Sequence, residues 1–273
     1  MTRPASRIAL YAALVVGALI ALFPMLWMLS ASLMPTGEAT SAPPRFFPSR
    51  VTGEHYRALF TRLNLGRYLL NSTIVALTVT AISLFVNSMA GYAFAKLRFR
   101  GRDRLFRALT TGLVIPVQVA MLPLFLLMKE LGMINTYWGV IVPGLASIFG
   151  IFLVRQYALS IPDDLLDAAR IDGASELRIY WSIVLPTIRP ILATLAIWTF
   201  LATWNDFMWP LIVLSDESRF TLPVALANLS GEHVSDTELM MAGSVLTVLP
   251  VLLTFLFLQR YYIQGIMAGS TKG

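Results

Sequence analysis

The chain has no cysteine and only two histidines, His55 and His233. The first absence excludes disulfides, thiol nucleophiles and thiolate metal sites, and the second leaves too few imidazoles for an ordinary zinc centre. Charge is scarce as well. Only 13% of the 273 residues are charged, against about 25% in an ordinary soluble domain. The phosphate-binding pattern GxxxxGK[ST], the zinc pair HExxH and the nucleophile pattern GxSxG are all missing. Nothing in the chain therefore announces ATP hydrolysis, metal-assisted hydrolysis or acyl transfer.

What the chain does have is apolar length. Hydrophobic residues make up 57% of it, and the mean hydropathy is +0.71. A helix needs about 20 apolar residues to cross the hydrocarbon core of a bilayer. Six stretches qualify: 8–34, 68–95, 105–128, 137–157, 190–214 and 239–262. The pattern predicts an all-α integral membrane protein with six transmembrane helices. The first run exceeds the roughly 7–15 residues of a signal-peptide core and reads as an uncleaved anchor. The connector at 35–67 carries Pro35, Pro43, Pro44 and Pro48, which oppose a long helix. The chain divides into a first span with its outer loop (1–67), a transmembrane core (68–262) and a short tail (263–273).

Charge bias orients the spans. With both termini cytoplasmic, fourteen lysines and arginines face the cytoplasm and seven face outward, together the chain's 21. Cytoplasmic loops are enriched in these residues. The densest run is KLRFRGRDRLFR, from Lys96 to Arg107, while the first outer loop, with five arginines, goes against the rule. Topology thus accounts for the net charge of +6, and nucleic acid is not an expected partner.

One segment breaks the apolar texture. Between the fourth and fifth spans stand Asp163, Asp164, Asp167, Arg170, Asp172, Glu176 and Arg178. Ser160 and Pro162 predict a helix start, from a capping hydroxyl and a proline in the first turn. Asp163 and Asp164 follow where the helix dipole favours negative charge. Leu165, Leu166 and Ala169 would share an apolar face. Gly173 predicts a left-handed turn, and a second short helix would run from Ala174 to about Val184, until Pro186 interrupts it. The result is a helix–Gly–helix knuckle facing the cytoplasm. On these residues alone, an amphipathic helix lying on the membrane surface is an equal reading.

The order Asp167-Ala168-Ala169, three residues, Gly173, nine residues, Ile183, one residue, Leu185-Pro186 resembles the EAA loop of permease subunits of bacterial ABC importers. Aspartate stands where that loop has glutamate, which keeps the carboxylate and shortens its reach. The six spans, TWNDFMWP in the fifth, and the tail QRYYIQGIMAGSTKG are similar to the maltose-transporter-type, carbohydrate-transporting branch. The resemblance implies a multi-pass subunit of the bacterial plasma membrane. Its loop would act as a coupling helix seated in a groove of a partner ATPase, through Asp167, Ala168, Ala169, Asp172 and Gly173. It also implies the partners: two ATPase subunits that bind ATP and Mg, a second permease that the family favours as a different chain, and an extracytoplasmic sugar-binding protein. This chain itself would bind no cofactor. The tail would reach the ATPase interface, and an outer loop at 215–238 would meet the binding protein. Without the resemblance, that loop is a solvated acidic one, with Asp216, Glu217, Glu232, Asp236 and Glu238 against Arg219. His55 and His233 read as exposed loop residues.

Polar groups inside spans tend to face a cavity or the bundle interior. In the fifth span Thr199, Thr203 and Asp206 fall on one helix face, and Trp198, Asn205 and Trp209 on a neighbouring one. Aromatic faces stack on sugar rings, and amides, hydroxyls and carboxylates bond their hydroxyls. Thr199, Thr203, Asn205, Asp206 and Trp209 are therefore candidates for a sugar path. Trp204 and Trp209 would equally suit an interfacial belt, and Asn205 and Asp206 helix-to-helix contacts. Asn71, Ser72, Asn87 and Ser88 in the second span read mainly as packing groups. An ion-gradient-driven transporter would explain the spans without the knuckle. A membrane enzyme would need a catalytic constellation that these residues do not supply.

Overall fold

The structure is a computed structural model that describes residues 4–43, 45–232 and 236–270. His233 and Lys272 lie outside the described residues. All regular structure among those described is helical: α1 (Pro4–Ala31), α2 (Glu54–Thr61), α3 (Leu65–Lys96), α4 (Arg102–Thr111), α5 (Val117–Glu130), α6 (Tyr137–Ile141), α7 (Ile148–Ala158), α8 (Asp163–Ile171), α9 (Glu176–Ile179), α10 (Leu185–Thr187), α11 (Arg189–Trp204), α12 (Met208–Val213), α13 (Leu222–Glu232) and α14 (Thr237–Ser270). Residues 263–270, set apart in the sequence as part of a short tail, continue α14 as helix.

Among the described residues, four helices are long and apolar enough to cross a membrane: Leu10–Ala31, Leu65–Lys96, Tyr137–Ala158 and Thr237–Leu256. The first is exposed along its apolar length, as a helix that is apolar on all sides must be when hydrocarbon is its solvent. The other two expected spans are bent pairs. Arg102–Val114 and Val117–Glu130 meet at 108°, and Glu176–Thr187 and Arg189–Trp204 at 78°. Counting each pair once gives up to six spans. Prolines explain the breaks. Pro116 lacks an N–H and forces Ile115 into extended backbone, at φ −82° and ψ 118°. The expected fifth span, 190–214, stops at Trp204 and resumes as α12, because Pro210 cannot donate to the Asp206 carbonyl and its ring would collide with it.

The chain forms two compact units. One comprises Met1–Arg67 and Leu222–Pro250. In it His55, expected in an exposed loop, is 3% exposed on α2, with Nε2 2.9 Å from the Met34 carbonyl. Glu238 is likewise buried rather than solvated. It accepts the Ala39 N–H at 2.7 Å, and the expected acidic loop is largely the helix α13. The first turn of α2 holds His55 in place because its short helix packs Leu59 inward on the same face, four residues on.

The other unit comprises Tyr68–Thr221 and Val251–Gly273. Its span-borne amides tie helices together. Asn71 donates to the Ser218 and Phe220 carbonyls at 3.1 and 2.9 Å and accepts from the Tyr137 hydroxyl at 2.8 Å. Asn87 donates to Ser83 Oγ at 2.8 Å and accepts the Ser147 N–H at 3.0 Å. Gly150 is what allows this approach, since a Cβ there would sit 2.6 Å from Asn87 Nδ2.

Candidate functional site: a helix–Gly–helix knuckle and a broken-helix cavity

The charged segment folds as two short helices around a tight turn. α8 ends in a Schellman motif. The Ala174 N–H donates to the Ala169 carbonyl at 2.9 Å, and the Gly173 N–H to the Arg170 carbonyl at 3.0 Å. Gly173 has φ +81°, as the turn demands. The start differs from the expected one. Ser160 turns back to donate to the Tyr157 carbonyl at 2.7 Å, and Pro162 itself is the N-cap, in extended backbone. Asp163 and Asp164 then supply the negative charge for the first turn. The second arm starts two residues later than Ala174, at Glu176, with Ser175 as its N-cap accepting the Arg178 N–H at 3.3 Å. It also runs past Pro186. A π-helical turn at Tyr180–Val184 absorbs the proline, and the bend falls at Ile188 instead.

The knuckle has two faces. Leu166 and Ile179 are buried in a cluster with Tyr92 of α3, Val154 of α7 and Leu195 of α11. Ala169 and Ala174 pack against it. Leu165, expected on the inner face with Leu166, points outward, because neighbouring residues on a helix lie about 100° apart. With Ala168, Asp172, Gly173 and Leu177 it is exposed, and Ile171 is 86% exposed. Of the five residues the loop pattern singles out, Asp167, Ala168, Asp172 and Gly173 thus lie on the surface and Ala169 is half-buried. A Cβ at Gly173 would meet nothing within 4 Å.

Ion pairs brace the two arms. Arg170 bonds Asp167 Oδ1 at 2.6 Å and both Glu176 oxygens, at 2.7 and 3.3 Å. The Tyr92 hydroxyl donates to Glu176 Oε2 at 2.7 Å, fastening the knuckle to α3. A second fastening lies one turn along α3. Lys96 Nζ donates to the Ile161 carbonyl at 2.6 Å and to Asp163 Oδ1 at 2.7 Å, and its side chain is only 6% exposed. The sequence signals for these roles were faint. Lys96 opened a basic run that read as a topology marker, and nothing linked Tyr92 to Glu176 across so many residues. The spacing of Arg170 and Glu176 about Gly173 was the one local clue.

The Arg170 hydrogen bonds hold the Glu176 carboxyl below its ordinary value of 4.5, and the Lys96 ammonium holds Asp163 below 3.8. Both carboxyls are depressed, so their bracing is fully present above the unfolded values and is lost as pH falls through the folded ones. Amide exchange at Gly173 and Ala174, corrected for intrinsic rates, should keep constant protection from about pH 7 to 5 and lose it only as the pH falls below the ordinary carboxyl range. In a Glu176→Gln variant the acid-dependent loss should vanish, and a loss that persists there would mean that this carboxylate does not brace the turn.

Broken helices also shape a cavity of about 500 Å³. Its walls include Ser83 of α3, Ser147 and Phe149 at the start of α7, and Trp198, Thr199 and Thr203 of α11. The breaks at 112–117 and 143–148 line it. Irregular backbone at apolar depth is tolerated where it faces such a space. Trp198 is 63% exposed, with its ring centroid 6.0 Å from that of Phe149. The other fifth-span candidates lie elsewhere because α11 ends at Trp204. Asn205 donates to the Leu201 carbonyl at 2.8 Å, and Asp206 lies in the break before α12. Trp209 is 6% exposed and donates from Nε1 to the Gly139 carbonyl at 3.1 Å. Trp204 is buried too, stacked on Phe200, so neither indole stands in an interfacial belt.

An all-helical membrane chain with interrupted spans and a braced, protruding knuckle has the build of a transport subunit. The sequence matches the family described as "binding-protein-dependent transport system inner membrane component" over residues 87–267, and the chain belongs to that family. It is 40% identical over 259 residues to an arabinooligosaccharides transport system permease protein of Halalkalibacterium halodurans, covering 94% of this chain and 93% of that one. It is 32% identical to a lactose transport system permease protein of Rhizobium radiobacter, covering 96% and 95%. An sn-glycerol-3-phosphate transport system permease protein of Pectobacterium atrosepticum is 33% identical, with 93% of each covered. Among solved structures, a bacterial ABC transporter involved in the import of the acidic polysaccharide alginate superposes with a TM-score of 0.83 at 25% identity, covering 96% of this chain and 99% of that one. The chain is a permease subunit of an ABC importer.

Proposed function

We propose that this permease conducts a short oligosaccharide, and that its α8–Gly173–α9 knuckle receives the stroke of a cytoplasmic ATPase. The observation that carries this reading is the two-faced knuckle. Its inner face is built into a cluster with α3, α7 and α11, while its outer face leaves Leu165, Ala168 and Ile171 uncovered among the described residues. Asp167, Asp172 and Gly173 complete that outer face. Ala169 keeps the helix close to the chain's own core. A rigid body fixed on one side and open on the other transmits displacement from whatever docks on it. ATP closes two ATPase subunits, each drags a docked knuckle, and the cavity changes the side it faces. Two discrete states, each favoured by a different ligand, are the thermodynamic requirement. Both termini lie in the cytoplasm in this scheme, the second permease supplies the facing half of the pathway, and an extracytoplasmic binding protein delivers the sugar. ATP and Mg stay on the ATPase.

The sugar reading rests on the relatives' names and on the cavity. Arabinooligosaccharides and lactose are what two relatives carry. Here Trp198 and Phe149 offer aromatic faces beside the Thr199 and Thr203 hydroxyls. The five candidates from the fifth span thus separate. Thr199 and Thr203 remain on the path with Trp198, while Asn205, Asp206 and Trp209 hold the α11–α12 break.

Proteoliposomes containing the full complex test this directly. Uptake should require internal ATP and external binding protein, and should persist when ionophores collapse the ion gradients. Trp198→Ala should reduce sugar uptake by about tenfold, the loss of a stacking contact worth roughly 1–1.5 kcal/mol, with ATP hydrolysis unchanged. Uptake driven by an ion gradient without ATP would refute the importer reading. An unaffected Trp198→Ala variant would remove the cavity from the path.

A further inference from the structure

The run from Lys96 to Arg107 does more in the fold than mark a side of the membrane. Past the end of α3 the chain turns at Gly101, with φ +87°, and enters α4. The turn gathers Arg98, Arg100, Arg102, Arg104 and Arg107 around one open depression of about 900 Å³. Asp103 is the only acidic group on its wall, and it is spent on Arg102 at 3.1 Å. The next acid nearby, Asp163, bonds Lys96 and also attracts Arg98 from further off. Among the described residues, the side chains of Arg98, Arg100 and Arg104 make no hydrogen bond or close ion pair, and all three are exposed. Five guanidiniums around one depression with a single paired carboxylate on its wall leave it strongly positive.

The platform beneath them is rigid. Phe106 on the inner side of α4 is buried, its ring 5.5 Å from Phe94 and 6.3 Å from Phe152. Arg155 of α7 lies 4.1 Å over it. The helix that carries Arg102, Arg104 and Arg107 is thereby anchored on its inner side, and Arg98 and Arg100 stand on the turn that leads into it. Apolar side chains stand exposed among them. Phe99 is on the turn and Leu105 is on α4. A free anion would explain the charge but would leave Phe99 and Leu105 in water, and a docked protein is the alternative that the test below separates. A phospholipid has both parts, an anionic phosphate for the guanidiniums and acyl chains for the apolar residues, and the segment leads straight into the apolar pair Arg102–Val114 and Val117–Glu130.

We infer that the Gly101 turn is a binding site for the headgroup of an anionic phospholipid, with Arg98, Arg100 and Arg104 on the phosphate and Phe99 and Leu105 at the acyl boundary. This goes beyond the transport reading and does not depend on which substrate is carried. Guanidinium suits the role because its planar fork bonds two phosphate oxygens at once. Each basic residue beside an anionic membrane surface strengthens attachment by roughly fivefold.

The full chain in mild detergent, titrated with phosphatidylglycerol or with phosphatidylcholine of the same acyl chains, provides the test by native mass spectrometry. Phosphatidylglycerol should be retained at least about tenfold better. The preference should fall with added salt. It should disappear in an Arg98→Gln, Arg100→Gln, Arg104→Gln triple variant and survive in the corresponding triple lysine variant. Equal retention of the two lipids by the unaltered chain would overturn the inference, and this arm needs no variant to fold. So would a phosphatidylglycerol preference that the glutamine variant keeps. If that variant instead loses co-purifying ATPase while its lipid preference stands, the patch is a protein-docking surface and the lipid assignment is wrong.

Discussion

A chain carrying Gly173→Pro will still insert in the membrane, but sugar uptake will fall to background and the ATPase subunits will be lost during purification. Gly173 holds φ at +81°, whereas proline is fixed near −65° and has no N–H. The substitution also removes the donor to the Arg170 carbonyl. The local cost is about 3 kcal/mol or more, enough to open the Schellman turn and change the angle between α8 and α9. Valine at the same place costs roughly 1–2 kcal/mol through its Cβ alone and should also abolish coupling. Asparagine separates bend from contact. It tolerates the left-handed region, and this chain leaves space for its side chain. We expect Gly173→Asn to keep the chain folded and yet to bind the ATPase more weakly than glycine does, because in the proposed coupling the partner closes on that surface. Uptake near the unaltered level in Gly173→Pro would end the coupling-helix reading, and full activity in Gly173→Asn would confine the residue's role to the bend.

How far the sequence led can be traced along this same segment. Gly173 was legible because an αL turn has few chemical solutions, and glycine between two charged, helix-forming runs is the commonest. The apolar spans were legible because hydrocarbon thickness sets their length. Leu165 was misplaced because an adjacent pair of leucines does not say which one faces inward; packing against Tyr92 and Val154 decides for Leu166. The straight fifth span failed for a local reason that was available. Pro210 removes the N–H that would bond the Asp206 carbonyl and so marks a place where a helix can break, although α1, α5 and α14 run through Pro24, Pro123 and Pro250. His55 and Glu238 were placed at the surface on polarity alone, since the Met34 carbonyl and the Ala39 N–H that receive them are tertiary partners. Trp209 read as a sugar contact for the same reason, because its bond to Gly139 spans a sequence distance that no local pattern reports.

In the coupling proposed above, the fastenings at the base of the knuckle set what the loop would transmit. A protruding helix that merely rested on the bundle would absorb a partner's displacement by sliding. Here the inner face is both packed and tied, by Tyr92 to Glu176 and by Lys96 to Ile161 and Asp163. Both ties run to α3, one helical turn apart, so a rotation of the knuckle must turn the end of that helix with it.

Lys96→Met should therefore separate the motor from the path. Methionine keeps most of the apolar stem, and the variant loses only the ammonium. What disappears is a charged donor to the Ile161 carbonyl at 2.6 Å, with a weaker one to Leu159 at 3.4 Å, at a cost of about 1.5–3 kcal/mol. The exposed Asp163 carboxylate simply rehydrates. That cost does not unfold a helix bundle whose cluster of Leu166, Ile179 and Leu195 is intact, but it frees the α7–α8 corner to yield when pulled. The assembled transporter should go on hydrolysing ATP while sugar uptake falls by about tenfold or more, so that more ATP is consumed per sugar moved. Lys96→Arg, which keeps a donor at the same corner, should recover much of the uptake. A purely structural lysine behaves differently: its loss lowers hydrolysis and uptake together, through less assembled complex, and leaves their ratio untouched. Measuring both rates on the same purified preparation decides between the two, and an unchanged ratio in Lys96→Met would show that the knuckle conveys its stroke without this tie.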